Sequence, residues 1–71
     1  MTVTPHMDAL MRLIHKMANE RGLANRQEVQ DAFGEAFLDT WNNLYDGYFL
    51  ERGGERHLLA LSRTGRRAIG H

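Results

Sequence analysis

The sequence predicts a mostly helical α+β fold: three helices, a two-stranded β-hairpin and a short C-terminal helix. Three observations lead there. Apolar residues recur at spacings of three and four from Met7 to Ala18 and again from Phe37 to Tyr45, the repeat of an amphipathic helix. Glycines at positions 22, 34 and 47 close the helical stretches, as glycine commonly does just past a last turn. Two apolar segments flank Gly53-Gly54, a pair that can take the positive φ values of a hairpin turn.

The first helix is expected to start at Thr4-Pro5, because Thr is a good N-cap and Pro costs nothing at the first helical position. Asp8 complements the helix dipole in the first turn. Met7, Leu10, Met11, Ile14, Met17 and Ala18 share one face, which reads as core; so flexible a methionine stripe also suits an adaptable partner surface. Leu13 lies off that stripe, as ordinary surface or as a contact to a second copy. Gly22 followed by Leu23 has the pattern of a left-handed stop with its hydrophobic contact.

Asn25 with Glu28 three residues later reads as a reciprocal capping box opening a second, two-turn helix. Val29, Ala32 and Phe33 form its buried side. The third helix carries Phe37, Leu38, Trp41, Leu44 and Tyr45 on an apolar face, with Ala36, Asp39, Thr40, Asn43 and Asp46 opposite and Asn42 at the boundary. Tyr48 to Arg52 and Arg56 to Leu61 then read as strands around the glycine pair. Ser62 caps a final helix running through Thr64, Arg66, Arg67 and Ile69.

Seventy-one residues make one domain, spanning 1–71, near the lower size limit for independent folding. The chain holds no cysteine, so disulfides and thiolate metal sites are excluded. Small chains without such staples often pair with a second copy, and a homodimer is expected on that ground. The apolar share of 42% beside 25% charged residues argues for a folded domain rather than a disordered one. The longest apolar run, Leu58 to Leu61, is far too short to span a membrane, and the N-terminus has no basic segment leading into an apolar core, so a cytoplasmic protein is expected.

Net charge is zero, yet the signs segregate. Between Gln27 and Asp46 stand Glu28, Asp31, Glu35, Asp39 and Asp46 with no Lys or Arg; from Arg52 on, Arg52, Arg56, Arg63, Arg66 and Arg67 face only Glu55. That is either a solvated surface with clustered signs or a basic C-terminal patch for phosphates beside an acidic face.

Three local motifs resemble the winged helix-turn-helix superfamily, in the manner of MarR- and PadR-like regulators. Val29-Gln30-Asp31-Ala32-Phe33-Gly34 resembles the helix before the turn. Leu44-Tyr45-Asp46-Gly47-Tyr48-Phe49 resembles the junction into the wing, one spacer residue short. Leu61-Ser62-Arg63-Thr64-Gly65-Arg66-Arg67 resembles the start of the helix after the wing. With the first helix, the resemblance covers nearly the whole chain. The third helix is about one turn shorter than that pattern, and its outward face is acidic.

The resemblance implies DNA binding and transcriptional regulation through the third helix and a basic wing. Thr40, Asn42 and Asn43 would face the major groove, where Asn can read adenine. Arg52, Arg56 and His57 would approach the minor groove or backbone, and Arg63, Arg66 and Arg67 would hold phosphates. The competing expectation is a winged-helix protein-interaction module, of phage or plasmid type, whose acidic helix face docks a protein and which does not read DNA. No enzyme, metal or cofactor is expected: His6, His15, His57 and His71 lack metal-ligand spacing, Ser62 has no nucleophile elbow, and the glycine pair is no phosphate cradle.

Overall fold

The computed structural model describes residues 2–70. It holds four helices and a two-stranded antiparallel sheet: α1 (Pro5–Arg21), β1 (Ala24–Asn25), α2 (Arg26–Phe33), α3 (Phe37–Asp46), β2 (Leu58–Leu59) and α4 (Arg63–Ala68).

The helix ends follow local chemistry. Thr4 caps α1 by accepting from the Met7 N–H at 3.2 Å. Gly22 ends α1 at φ 81°, and its N–H donates to the Ala18 carbonyl at 2.8 Å. Leu23 does not make the expected contact; it stays 46% exposed while Ala24 takes the buried place. Asn25 caps α2 by accepting from the Glu28 N–H at 3.1 Å. The capping box is only half formed, because the Glu28 carboxylate pairs with Arg21 at the end of α1 instead. Ser62 caps α4 by accepting from the Gly65 N–H at 3.1 Å, and its own hydroxyl donates to the Tyr48 carbonyl at 2.7 Å.

The β-structure corrects the hairpin expectation. β2 pairs with β1, Ala24 opposite Leu59 and Asn25 opposite Leu58, so the sheet joins the α1–α2 connection to the chain returning from the glycine pair. The arm from Tyr48 to Arg52 forms no strand. It meets the returning arm through a bridge at Leu50 and Leu61, with the Glu51 N–H donating to Ala60 at 2.8 Å and the Ser62 N–H to Phe49 at 2.9 Å. Residues 52–57 therefore form a wide loop rather than a tight turn. Only Gly53 of the glycine pair has positive φ, at 88°. A left-handed residue also falls on Tyr48, at φ 63°, one position past Gly47; this bend turns the chain out of α3 and away from the straight strand geometry predicted there.

Met7, Leu10, Met11 and Ile14 pack with Val29, Phe37, Leu44, Phe49, Leu59 and Ile69 in one core. Burying each large apolar side chain contributes roughly 1.5–3 kcal/mol. The methionines of α1 thus serve the core, with Met17 and Leu13 at its margin. Leu13 is packed against the molecule's own interior rather than standing off it. Ala32, expected to be buried, is exposed, since a helix as short as α2 turns only Val29 fully inward.

α3 is rolled relative to the expected orientation. Phe37, Thr40 and Leu44 point into the core, Trp41 lies half-buried at its edge, and Leu38 is 55% exposed. Helical spacing accounts for the roll: with Phe37 and Leu44 seated inside, position 40 is three residues after one and four before the other and so falls on the same face.

Candidate functional site

The roll of α3 brings its aromatic residues to one side of an open groove of about 600 Å³. Trp41 and Tyr45 form one wall, the 50–60 loop forms the other, and Arg26 at the start of α2 closes one end. The groove exists because β1 and β2 clamp the loop's returning arm beside α2. The Arg26 N–H donates to the His57 carbonyl at 2.7 Å, which anchors the loop across the groove from α3.

Trp41 and Tyr45, one helical turn apart, stack with ring centroids 5.0 Å apart and planes at 18°. Each ring carries a guanidinium. Arg26 lies 4.7 Å from the Trp41 centroid and 5.8 Å from that of Phe37. Arg52 lies 3.8 Å from Tyr45 and 4.2 Å from Tyr48, and donates to the Tyr45 carbonyl. Cations favour aromatic faces because the ring quadrupole is negative there. The Trp41 indole N–H is buried and has no acceptor among the described residues, which leaves an unsatisfied donor at the groove wall.

Arg56 shares the lining with Arg26 and Arg52, and so do Glu51 and Glu55. The ion pairs found among the described residues join Arg12 to Asp8, Arg21 to Glu28 and His57 to Glu55, the last at 3.2 Å. None of them engages Arg26, Arg52 or Arg56, so among the described residues no acid pairs with these three guanidinium groups, although Arg26 and Arg52 rest on aromatic rings.

The residues expected at a nucleic-acid site do not form one cluster. Thr40 is corrected: at 4% exposure its hydroxyl cannot reach a base edge. Asn42 and Asn43 are exposed, but Asn43 lines a separate depression with Thr4, Met7 and Asp46. Arg52 and Arg56 belong to the groove, whereas His57 sits outside it beside Glu55. Arg63, Arg66 and Arg67 lie on α4, where Arg66 donates to the Leu61 carbonyl at 3.0 Å. The hydrogen bond from Ser62 to Tyr48 sets the start of α4 next to the residue whose ring supports Arg52. Arg26 is the groove residue that sequence reasoning missed, since its partner Trp41 lies fifteen positions away in a different helix. The signal that was present, an aromatic pair at i and i+4 on α3, reads in the sequence only as part of that helix's apolar face.

One charge of the acidic stretch is paired, Glu28 with Arg21, while Asp31 accepts a hydrogen bond from the neutral Gln27 amide at 3.0 Å and keeps its charge. Glu35, Asp39 and Asp46 remain exposed. Among the described residues no helix is long and apolar enough to cross a membrane.

Fold and groove together define a small α+β domain with an arginine-and-aromatic cleft between a helix and a loop. The chain matches no family model, no curated protein and no solved structure.

Proposed function

We propose that this protein is a winged-helix DNA-binding protein that acts in transcriptional regulation, with the 50–60 loop as its wing. The order of elements supports this reading: a short strand before α2 pairs with the arm that returns after α3, and the loop between stands beside the end of α3. The observation that carries it is the convergence of Arg26, Arg52 and Arg56 on one groove, none of them paired to an acid among the described residues. Phosphate contacts supply most of the affinity of such a surface. Arg63 and Arg67, exposed on α4, add positive charge outside the groove.

Salt dependence of binding to a labelled duplex tests this. Affinity is expected to fall steeply between about 50 and 200 mM salt. Replacing Arg26, Arg52 and Arg56 together with Ala should flatten the log–log slope by about 2.7, at roughly 0.9 per phosphate contact. A wild-type affinity indifferent to salt, or a triple variant that behaves as wild type, rules the reading out.

A second reading is favoured by a different feature. Leu38 stands exposed on α3 beside Glu35 and Asp39, a combination that suits a basic, partly apolar protein surface. Under that reading the protein is an interaction module, and reversing the charge of Glu35 and Asp39 abolishes its effect while the triple arginine variant keeps it.

A further inference from the structure

We propose that the groove takes an unpaired stretch of nucleic acid, with a base stacked on the Trp41–Tyr45 wall and flanking phosphates held by Arg26, Arg52 and Arg56. This rests on the DNA-binding reading above and specifies which strand state the site accepts. Two stacked rings offer a π surface on the groove wall, and a base can lie on such a surface only when it is not stacked within a duplex. Aromatic platforms interleaved with basic side chains are how single strands are held without a base-edge code. Groove volume agrees, since about 600 Å³ lies within the range of about 300–1,000 Å³ that encloses groups of small-molecule size.

The same geometry disfavours a duplex. The residues of α3 that would enter a major groove include exposed Asp39 and Asp46, while Thr40 is withdrawn into the core. A helix pressed between two phosphate backbones would carry those carboxylates against them. In the free protein the guanidinium groups of Arg26 and Arg52 lie over the rings that a base would use. A base arriving there displaces them toward its own phosphates, so stacking and charge neutralisation occur together. The Trp41 indole N–H has no acceptor among the described residues, and a base carbonyl or phosphate oxygen seated in the groove supplies one. Glu51 and Glu55 bring the lining charge to +1 (three Arg minus two Glu), so stacking rather than bulk charge sets the preference for a single strand.

Trp41 is the chain's single tryptophan, so intrinsic fluorescence reports on this wall directly. The experiment titrates the intact protein with a short mixed-sequence DNA strand, the fully paired duplex of the same sequence, and that duplex with a central mismatched bubble. The strand and the bubble are expected to quench Trp41 and to bind about tenfold more tightly than the paired duplex. Tyr45→Leu, at a position 37% exposed, should remove about tenfold of the strand affinity while leaving the circular dichroism unchanged. A paired duplex that binds as tightly as the strand, or a saturating strand that leaves Trp41 emission unmoved, overturns the inference while the DNA-binding reading stands. If neither strand nor duplex binds, both fall. The wild-type comparison decides the matter whatever the variant's stability.

Discussion

The Arg52 guanidinium lies 3.8 Å from the centroid of the Tyr45 ring and donates to the carbonyl of that same residue, tying the 50–60 loop to the end of α3. Two effects act at one point. The ring attracts the cation, and the last carbonyls of a helix carry partial negative charge that a donor satisfies. Tyr48 covers Arg52 as well, 4.2 Å from its centroid, so one side chain holds two turns of chain together.

Arg52→Ala is therefore expected to cost about 1 kcal/mol of stability, in keeping with an exposed cation–π contact. It should also raise amide exchange across residues 50–60 more than in α1. Arg52→Lys should recover part of the stability but not the exchange protection, because an ammonium cannot lie flat on the ring while donating to the carbonyl. Equal exchange in wild type and Arg52→Ala would show that the loop is held by something else.

Gly65 sets how closely α4 approaches the chain leaving α3. A Cβ at that position would run into the Phe49 carbonyl, which is backbone and cannot swing aside, and would also press on the Leu61 side chain at 3.3 Å. Gly65→Ala normally favours a helix, by up to about 1 kcal/mol. Here the clash dominates, and a net loss of about 2 kcal/mol is expected from overpacking. A denaturation midpoint at or above wild type would show that α4 can shift without loss.

Thr40 and its neighbours Asn42 and Asn43 separate a packing role from a surface one. Thr40→Ala is expected to destabilise by about 1 kcal/mol, the usual order for a truncated buried side chain. Asn42→Ala and Asn43→Ala should each stay within about 0.5 kcal/mol of wild type. Urea unfolding of the three variants checks this. Were Thr40→Ala neutral and Asn42→Ala costly, α3 would be rolled the other way and Thr40 would again be free to meet a ligand.

Much of the helical architecture was legible in the residues. Thr4, Asn25 and Ser62 each cap the helix they announce, and Gly22 takes the left-handed conformation that its place after α1 implied. Position 34 ends α2 as expected, with its N–H on the Gln30 carbonyl at 2.9 Å. The β-structure was less legible. The glycine pair suggested that two neighbouring segments pair with each other, and they do so at Leu50 and Leu61, but Leu58 and Leu59 pair with Asn25 and Ala24. A strand of two residues carries no periodicity to detect, and Asn25 was already accounted for as a cap. The candidate site is half legible: the sequence points to Arg52 and Arg56 but not to Arg26 or the Trp41–Tyr45 stack, and Thr40, expected on the outward face of its helix, is buried.

What the sequence determined by itself is the set of helices and where they begin and end, because caps, stops and apolar repeats act between groups within about four positions of one another. What only the tertiary structure decided is the roll of α3, the strand that clasps the loop, and the meeting of Arg26 with Trp41. Those depend on which bulky side chains fill the core first and on pairings between residues more than thirty positions apart, and no local preference along the chain encodes either.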